Sequence, residues 1–171
     1  MDTASRHRMG SAFLLCGALG NRNHMPVILS KDLQARIVKH LESAYPNEGG
    51  GFLLGTHHPQ RDELVIADVV EVANVFAAEE QYHRYAMTPQ DWARLEDEAD
   101  ARGLTLVGYF HSHPDSPAIP SVYDRDHALP NFTYIITAVY DVDAKATAND
   151  MRVWRLREDR TQFDPVNLVI E

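Results

Sequence analysis

Apolar positions along the chain fall into two rhythms. Leu33, Ile37, Val38, Leu41 and Ala44 recur at helical intervals, which predicts a helix capped by Ser30 and stopped by Pro46. A second helix is predicted to open at Thr88-Pro89-Gln90-Asp91, with proline at its first position, and to end at Gly103. The remaining apolar runs are short, bounded by turn residues and rich in valine and isoleucine. They predict strands at Val27–Leu29, Phe52–Leu54, Leu64–Val75 (one strand or two), Leu104–Phe110, Thr133–Tyr140 and Met151–Leu156, with a further edge strand over Val166–Ile170. His57-His58-Pro59-Gln60 reads as a turn. Strands outnumber helices and alternate with them irregularly. The expectation is therefore an α/β (α+β) domain, a mixed sheet flanked by helices rather than a regular βαβ array.

A chain of 171 residues fits one such domain, placed here at residues 25–171. Residues 1–24 differ in character. Arg6, His7 and Arg8 precede the apolar run Ser11–Leu19, a faint likeness to a secretory signal, but the run is far too short to span a bilayer. These residues are read as a poorly ordered extension, and the chain from Met25 onward as a cytoplasmic protein. Lys plus Arg against Asp plus Glu is 16 − 25 = −9, and no dense basic run offsets it. That balance argues against nucleic acid and against anionic membrane as partners. The single cysteine, Cys16, rules out an intrachain disulfide and a cysteine-held zinc ribbon. Any metal must be held by histidines and carboxylates.

The stretch Tyr109–Ala128 supplies such donors. His111 and His113 lie two apart at the end of a predicted strand, so the period of two sends both imidazoles to one face. Pro114 stops the strand, and Ser121-Val122-Tyr123-Asp124 opens a short helix from which Asp124 supplies a third ligand. Two histidines, a carboxylate and one exchangeable position suit a catalytic zinc site. Taken singly, each feature has an ordinary explanation: Ser121 and Asp124 also spell a capping box. The conjunction decides. From this chain's own residue counts, His-x-His-Pro, six residues, Ser, two residues, Asp arises by chance about once in ten thousand such chains. Asp126 and His127 read as ordinary polar residues of that short helix, and Trp92 and Trp154 as core or rim residues.

The stretch resembles the signature of the JAMM (MPN-plus) zinc metalloproteases. Glu48-Gly49-Gly50-Gly51-Phe52-Leu53-Leu54-Gly55 is similar to the upstream segment in which that family places a glutamate. Asn74, Arg84-Tyr85, Thr88-Pro89-Gln90 and Gly108-Tyr109-Phe110 resemble the small prokaryotic branch, so the likeness runs over about residues 27–170. It implies a cytidine-deaminase-like α-β-α domain. It also implies one Zn2+ per chain on His111, His113 and Asp124, with Glu48 as proton carrier and Ser121 as donor to the oxyanion. The implied activity is hydrolysis of a peptide or isopeptide bond at the C-terminal tail of a ubiquitin-like or sulfur-carrier protein. Only eight residues separate Asp124 from Thr133, which leaves no room there for the large insertion of the eukaryotic deubiquitinases and favours a small carrier. Two other readings are a catalytically silent MPN scaffold, against which the complete ligand set stands, and a RadC-like DNA-repair-associated protein, against which the acidic charge stands.

Overall fold

The computed structural model describes residues 24–74 and 89–171. The Arg84-Tyr85 pair, Thr88 and residues 1–23 lie outside them. The elements run β1 (Val27–Leu29), α1 (Lys31–Ala44), β2 (Gly50–His58), β3 (Glu63–Val72), α2 (Pro89–Ala101), β4 (Thr105–Pro114), α3 (Val122–His127), β5 (Thr133–Val142), β6 (Lys145–Leu156), β7 (Phe163–Val166) and β8 (Leu168–Ile170). The eight strands form one mixed sheet in the order β7-β6-β5-β4-β2-β3-β1-β8. β1 is parallel to β3 and β8, β4 is parallel to β5, and the other pairings are antiparallel. The α/β mixed-sheet expectation holds.

Several boundaries move. The segment from Leu64 is one strand, and His57-His58 finish β2 before the turn begins at Pro59. The expected edge strand over Val166–Ile170 is two strands at opposite edges of the sheet, separated in sequence by Asn167 alone. A single residue can join both edges only if the sheet curves until they meet. α1 packs against the face where Leu33, Ile37 and Leu41 join Leu53, Ile66, Val69, Phe110, Ile135, Val139 and Val153 in the main core. On the other face α2 places Leu95 and Ala99 against Phe52, Leu54 and Leu106, with Trp92 stacked on Phe132. Among the described residues no helix is long and apolar enough to cross a membrane.

One irregularity positions the site. Leu53 pairs with Gly108 but Leu54 pairs with Leu106, so Val107 is an extra residue on β4. Such a bulge inverts the facing of everything beyond it. Leu106 packs with α2, yet Phe110 packs with α1. Strict alternation from Leu106 would have turned His111 and His113 into the α1 core; the bulge turns them out of it. Just beyond the bulge, Gly108 lets β4 lie close against β5, since a Cβ there would run into the Thr133 backbone.

Asp68 on β3 ties both helical layers to the sheet. It accepts from Arg36 of α1 at 2.8 Å and pairs with Arg102, just past α2, at 2.9 Å. Burial acts to raise its pKa, but these two arginines and the Val69 N–H prevail and hold it below the usual carboxylate value. Its contribution is therefore present above the unfolded carboxylate pKa and lost as pH falls through the lower folded value. Asp68→Asn is expected to destabilise the fold by about 1 kcal/mol at pH 7. Urea unfolding at pH 7 and pH 3 checks it, with the gap narrowing at the acid end.

Candidate metal centre

The local chain chemistry places each donor. β4 runs through both histidines and ends at Pro114, which has no N–H to continue the ladder. On the far side of the loop, Ser121 caps α3 reciprocally: its Oγ accepts from the Asp124 N–H at 3.0 Å, and the Asp124 carboxylate accepts from the Ser121 N–H at 2.6 Å. The cap thus fixes Asp124 in the first turn, pointing at the strand. Between them, Ala118 is fully buried against Ile136 and Ala138, and the Trp154 indole N–H donates to its carbonyl at 3.0 Å. The proline-punctuated loop is therefore pinned at its middle.

His111, His113 and Asp124 converge, all three buried. His111 Nε2 lies 3.2 Å from His113 Nε2 and 3.0 Å from Asp124 Oδ1, and His113 Nε2 lies 3.4 Å from Asp124 Oδ2. Zinc with bonds of about 2.0–2.1 Å spaces tetrahedral ligand atoms by about 3.3 Å, so the donor spacing fits such an ion. The proton arrangement fits as well. His113 Nδ1 donates to the Pro117 carbonyl at 2.9 Å, which turns its Nε2 toward the cluster. His111 Nδ1 is buried and without a partner among the described residues, so the polar function of that ring also lies at its Nε2. Two ring nitrogens and a carboxylate brought this close call for positive charge between them.

The electrostatics record the same demand. Burial acts to raise the Asp124 pKa, but His111, His113 and the Ser121 hydroxyl overcome it and hold the carboxyl far below its ordinary value. Burial acts to lower the His113 pKa, and the hydrogen bond and charge of Asp124 reverse this and raise it.

Glu48 lies in the connection between α1 and β2, 7% exposed. With His113, Ser116, Pro117 and Ser121 it lines a cleft of about 260 Å³. Burial pushes its carboxyl up to about 8, opposed by His113 and reinforced by Asp124. A carboxyl near neutrality beside a cation-seeking cluster suits a group that takes and returns a proton. The structure therefore brings His111, His113, Asp124, Glu48 and Ser121 together. Ser121 carries a double load: its hydroxyl donates to Asp124 Oδ2 at 2.6 Å while its backbone N–H holds the same oxygen. Asp126 and His127 are exposed; Asp126 pairs with Arg125, and His127 bonds the Tyr123 carbonyl and stacks on its ring. Sequence reasoning passed over Ser112, between the histidines. Its Oγ accepts the Gly49 N–H at 3.0 Å. The available signal was the alternation itself, which sends the middle residue of His-Ser-His to the opposite face.

Known proteins share this frame. A desampylase of Haloferax volcanii is 26% identical over 131 residues, 76% of this chain and 91% of that protein. A probable TtuB-protein conjugate cleaving protease of Thermus thermophilus is 26% identical over 120 residues, 70% of this chain and 75% of that one. The solution structure of a protein from Salinibacter ruber superposes with a TM-score of 0.63 at 34% identity, covering 86% of this chain and 92% of the other. The family described as prokaryotic homologs of the JAB domain matches residues 30–157. By that match across about three quarters of its length, this chain belongs to the prokaryotic JAB-domain family.

Proposed function

We propose that this chain is a zinc-dependent peptidase that hydrolyses the peptide or isopeptide bond at the C-terminal tail of a ubiquitin-like or sulfur-carrier protein. The observation that carries the reading is the convergence of three buried metal-type donors, one of which, His113, lines a cleft together with the buried carboxyl of Glu48. The names borne by the Haloferax and Thermus relatives supply the substrate class. His111, His113 and Asp124 would hold the ion, one per chain. Zinc bound by them would supply Lewis-acid chemistry, lowering the pKa of a water and polarising the scissile carbonyl. Glu48 accepts a proton from the attacking water and delivers it to the leaving amine, a double duty suited to a buried carboxyl that lines the cleft beside His113. The Ser121 hydroxyl turns from Asp124 Oδ2 to the oxyanion; the Ser121 N–H keeps that carboxylate oxygen in place meanwhile.

The test is a carrier protein joined through its C-terminus to a lysine side chain, incubated with the zinc-loaded protein. Cleavage after the last tail residue is expected, together with about one zinc per chain by metal analysis. Chelation should abolish turnover and zinc should restore it. Absence of bound zinc, or cleavage indifferent to the chelator, would remove the reading.

A further inference from the structure

A base must be held still to work, yet Glu48 sits in an irregular connection, and its backbone must be fixed from outside. Three successive carbonyls of that turn are each gripped by a different element. Glu48 O accepts from Asn74 Nδ2 beyond β3 at 3.1 Å, Gly49 O from the Ser112 N–H of β4 at 3.0 Å, and Gly50 O pairs with His40 Nε2 of α1 at 3.1 Å. Ser112 closes the grip from both sides, because its Oγ accepts the Gly49 N–H. The contact is tight: a Cβ on Gly49 would lie 2.7 Å from Ala44 Cβ, so the turn is pressed onto α1. His40 is itself braced, its ring edge-on to Phe110 and its Nδ1 3.4 Å from Glu71 Oε2. Alternation explains the economy of β4. His111 and His113 present nitrogens on one face, while Ser112, 1% exposed, faces the Glu48 turn on the other.

We propose that Ser112 and His40 are positioning residues for Glu48, acting through the Gly49 and Gly50 backbone to set the carboxylate against the His111-His113-Asp124 cluster. The assignment rests on the function proposed above for Glu48. It deepens that function, since neither residue belongs to the donor cluster or lines the cleft.

Ser112→Ala, His40→Ala and the conservative His40→Gln, which keeps a donor for Gly50 O, test it in the full chain. Cobalt is substituted for zinc to read the ligand field. Ser112→Ala and His40→Ala are expected to fold, to bind one cobalt with the parent spectrum, and to lose about 10–100-fold in kcat at little-changed KM. His40→Gln should recover most of the loss. Amide exchange gives a readout independent of turnover: Gly49 N–H, protected in the parent, should exchange faster in Ser112→Ala. Retained protection at Gly49, unchanged kcat, or an altered cobalt spectrum (an effect through the histidines instead) would each overturn the proposal. If the loaded parent cleaves no conjugate, the functional reading fails, and the exchange measurement still decides whether the grip exists.

Discussion

Glu48→Gln is expected to keep the bound ion and lose about 10²–10⁴-fold in turnover, the range for removing a general acid–base. The same substitution should stabilise the metal-free protein in alkali. Glu48 has its carboxyl pushed up from 4.5 to about 8 by burial, partly offset by His113. A raised folded pKa means that the group's contribution is complete below 4.5 and is lost as pH rises through about 8. Above that, a charged carboxylate sits where water has been largely removed. The cost is on the order of several kcal/mol, which glutamine, neutral at every pH, does not incur. Urea unfolding of metal-free parent and variant at pH 5 and pH 9 should therefore show a small difference at the first and a clear advantage for the variant at the second. Zinc should shrink that advantage, since a neighbouring cation favours the ionised carboxylate. Parallel pH dependences would show that Glu48 ionises freely, and full turnover in the variant would place the base elsewhere.

This trade of stability for chemistry bears on what the sequence could reveal. Regular elements announced themselves through periodicity: α1 runs from Lys31 to Ala44 behind its Ser30 cap, as Leu33, Ile37 and Leu41 demand. The cluster of metal-type donors was legible because such chemistry confines them to few residue types at fixed spacing, and because the Ser121 cap that orients Asp124 is a local device. What stayed hidden was non-local. Nothing in Thr105–Phe110 declares that Val107 is an extra residue; only pairing with β2 creates the bulge that turns the histidines out of the core. Likewise, the split of Val166–Ile170 into two opposite edges depends on sheet curvature, which no window of a few residues contains. Alternation gave the face of Ser112 but not its partner, which lies 63 residues upstream.

Asp124→Asn is expected to abolish tight metal binding, a loss exceeding the 10–100-fold typical of partners one shell further out, and activity with it. Aspartate presents two oxygens: Oδ1 toward His111 Nε2, and Oδ2 toward His113 and the two Ser121 donors. Asparagine has one oxygen, and the Ser121 N–H and hydroxyl claim it. Its amide hydrogens then point at His111, where a lone pair is required. The metal-free proteins should differ in their pH profiles too. Asp124, lowered by His111, His113 and Ser121 against the effect of burial, contributes above the unfolded value of 3.8 and loses this as pH falls through its lower folded value. His113, raised by Asp124 against burial, contributes below 6.5 and loses this as pH rises through its higher folded value. The parent should therefore show a stability maximum between about pH 4 and 6.5, and the variant a flatter profile lower by about 3–5 kcal/mol, the usual effect of breaking a buried pair. Because zinc needs the histidine nitrogens unprotonated, it competes with the proton on His113, and chelator competition should find weaker zinc binding at pH 5.5 than at pH 8. A variant that bound one zinc with parental affinity would place the third ligand outside α3.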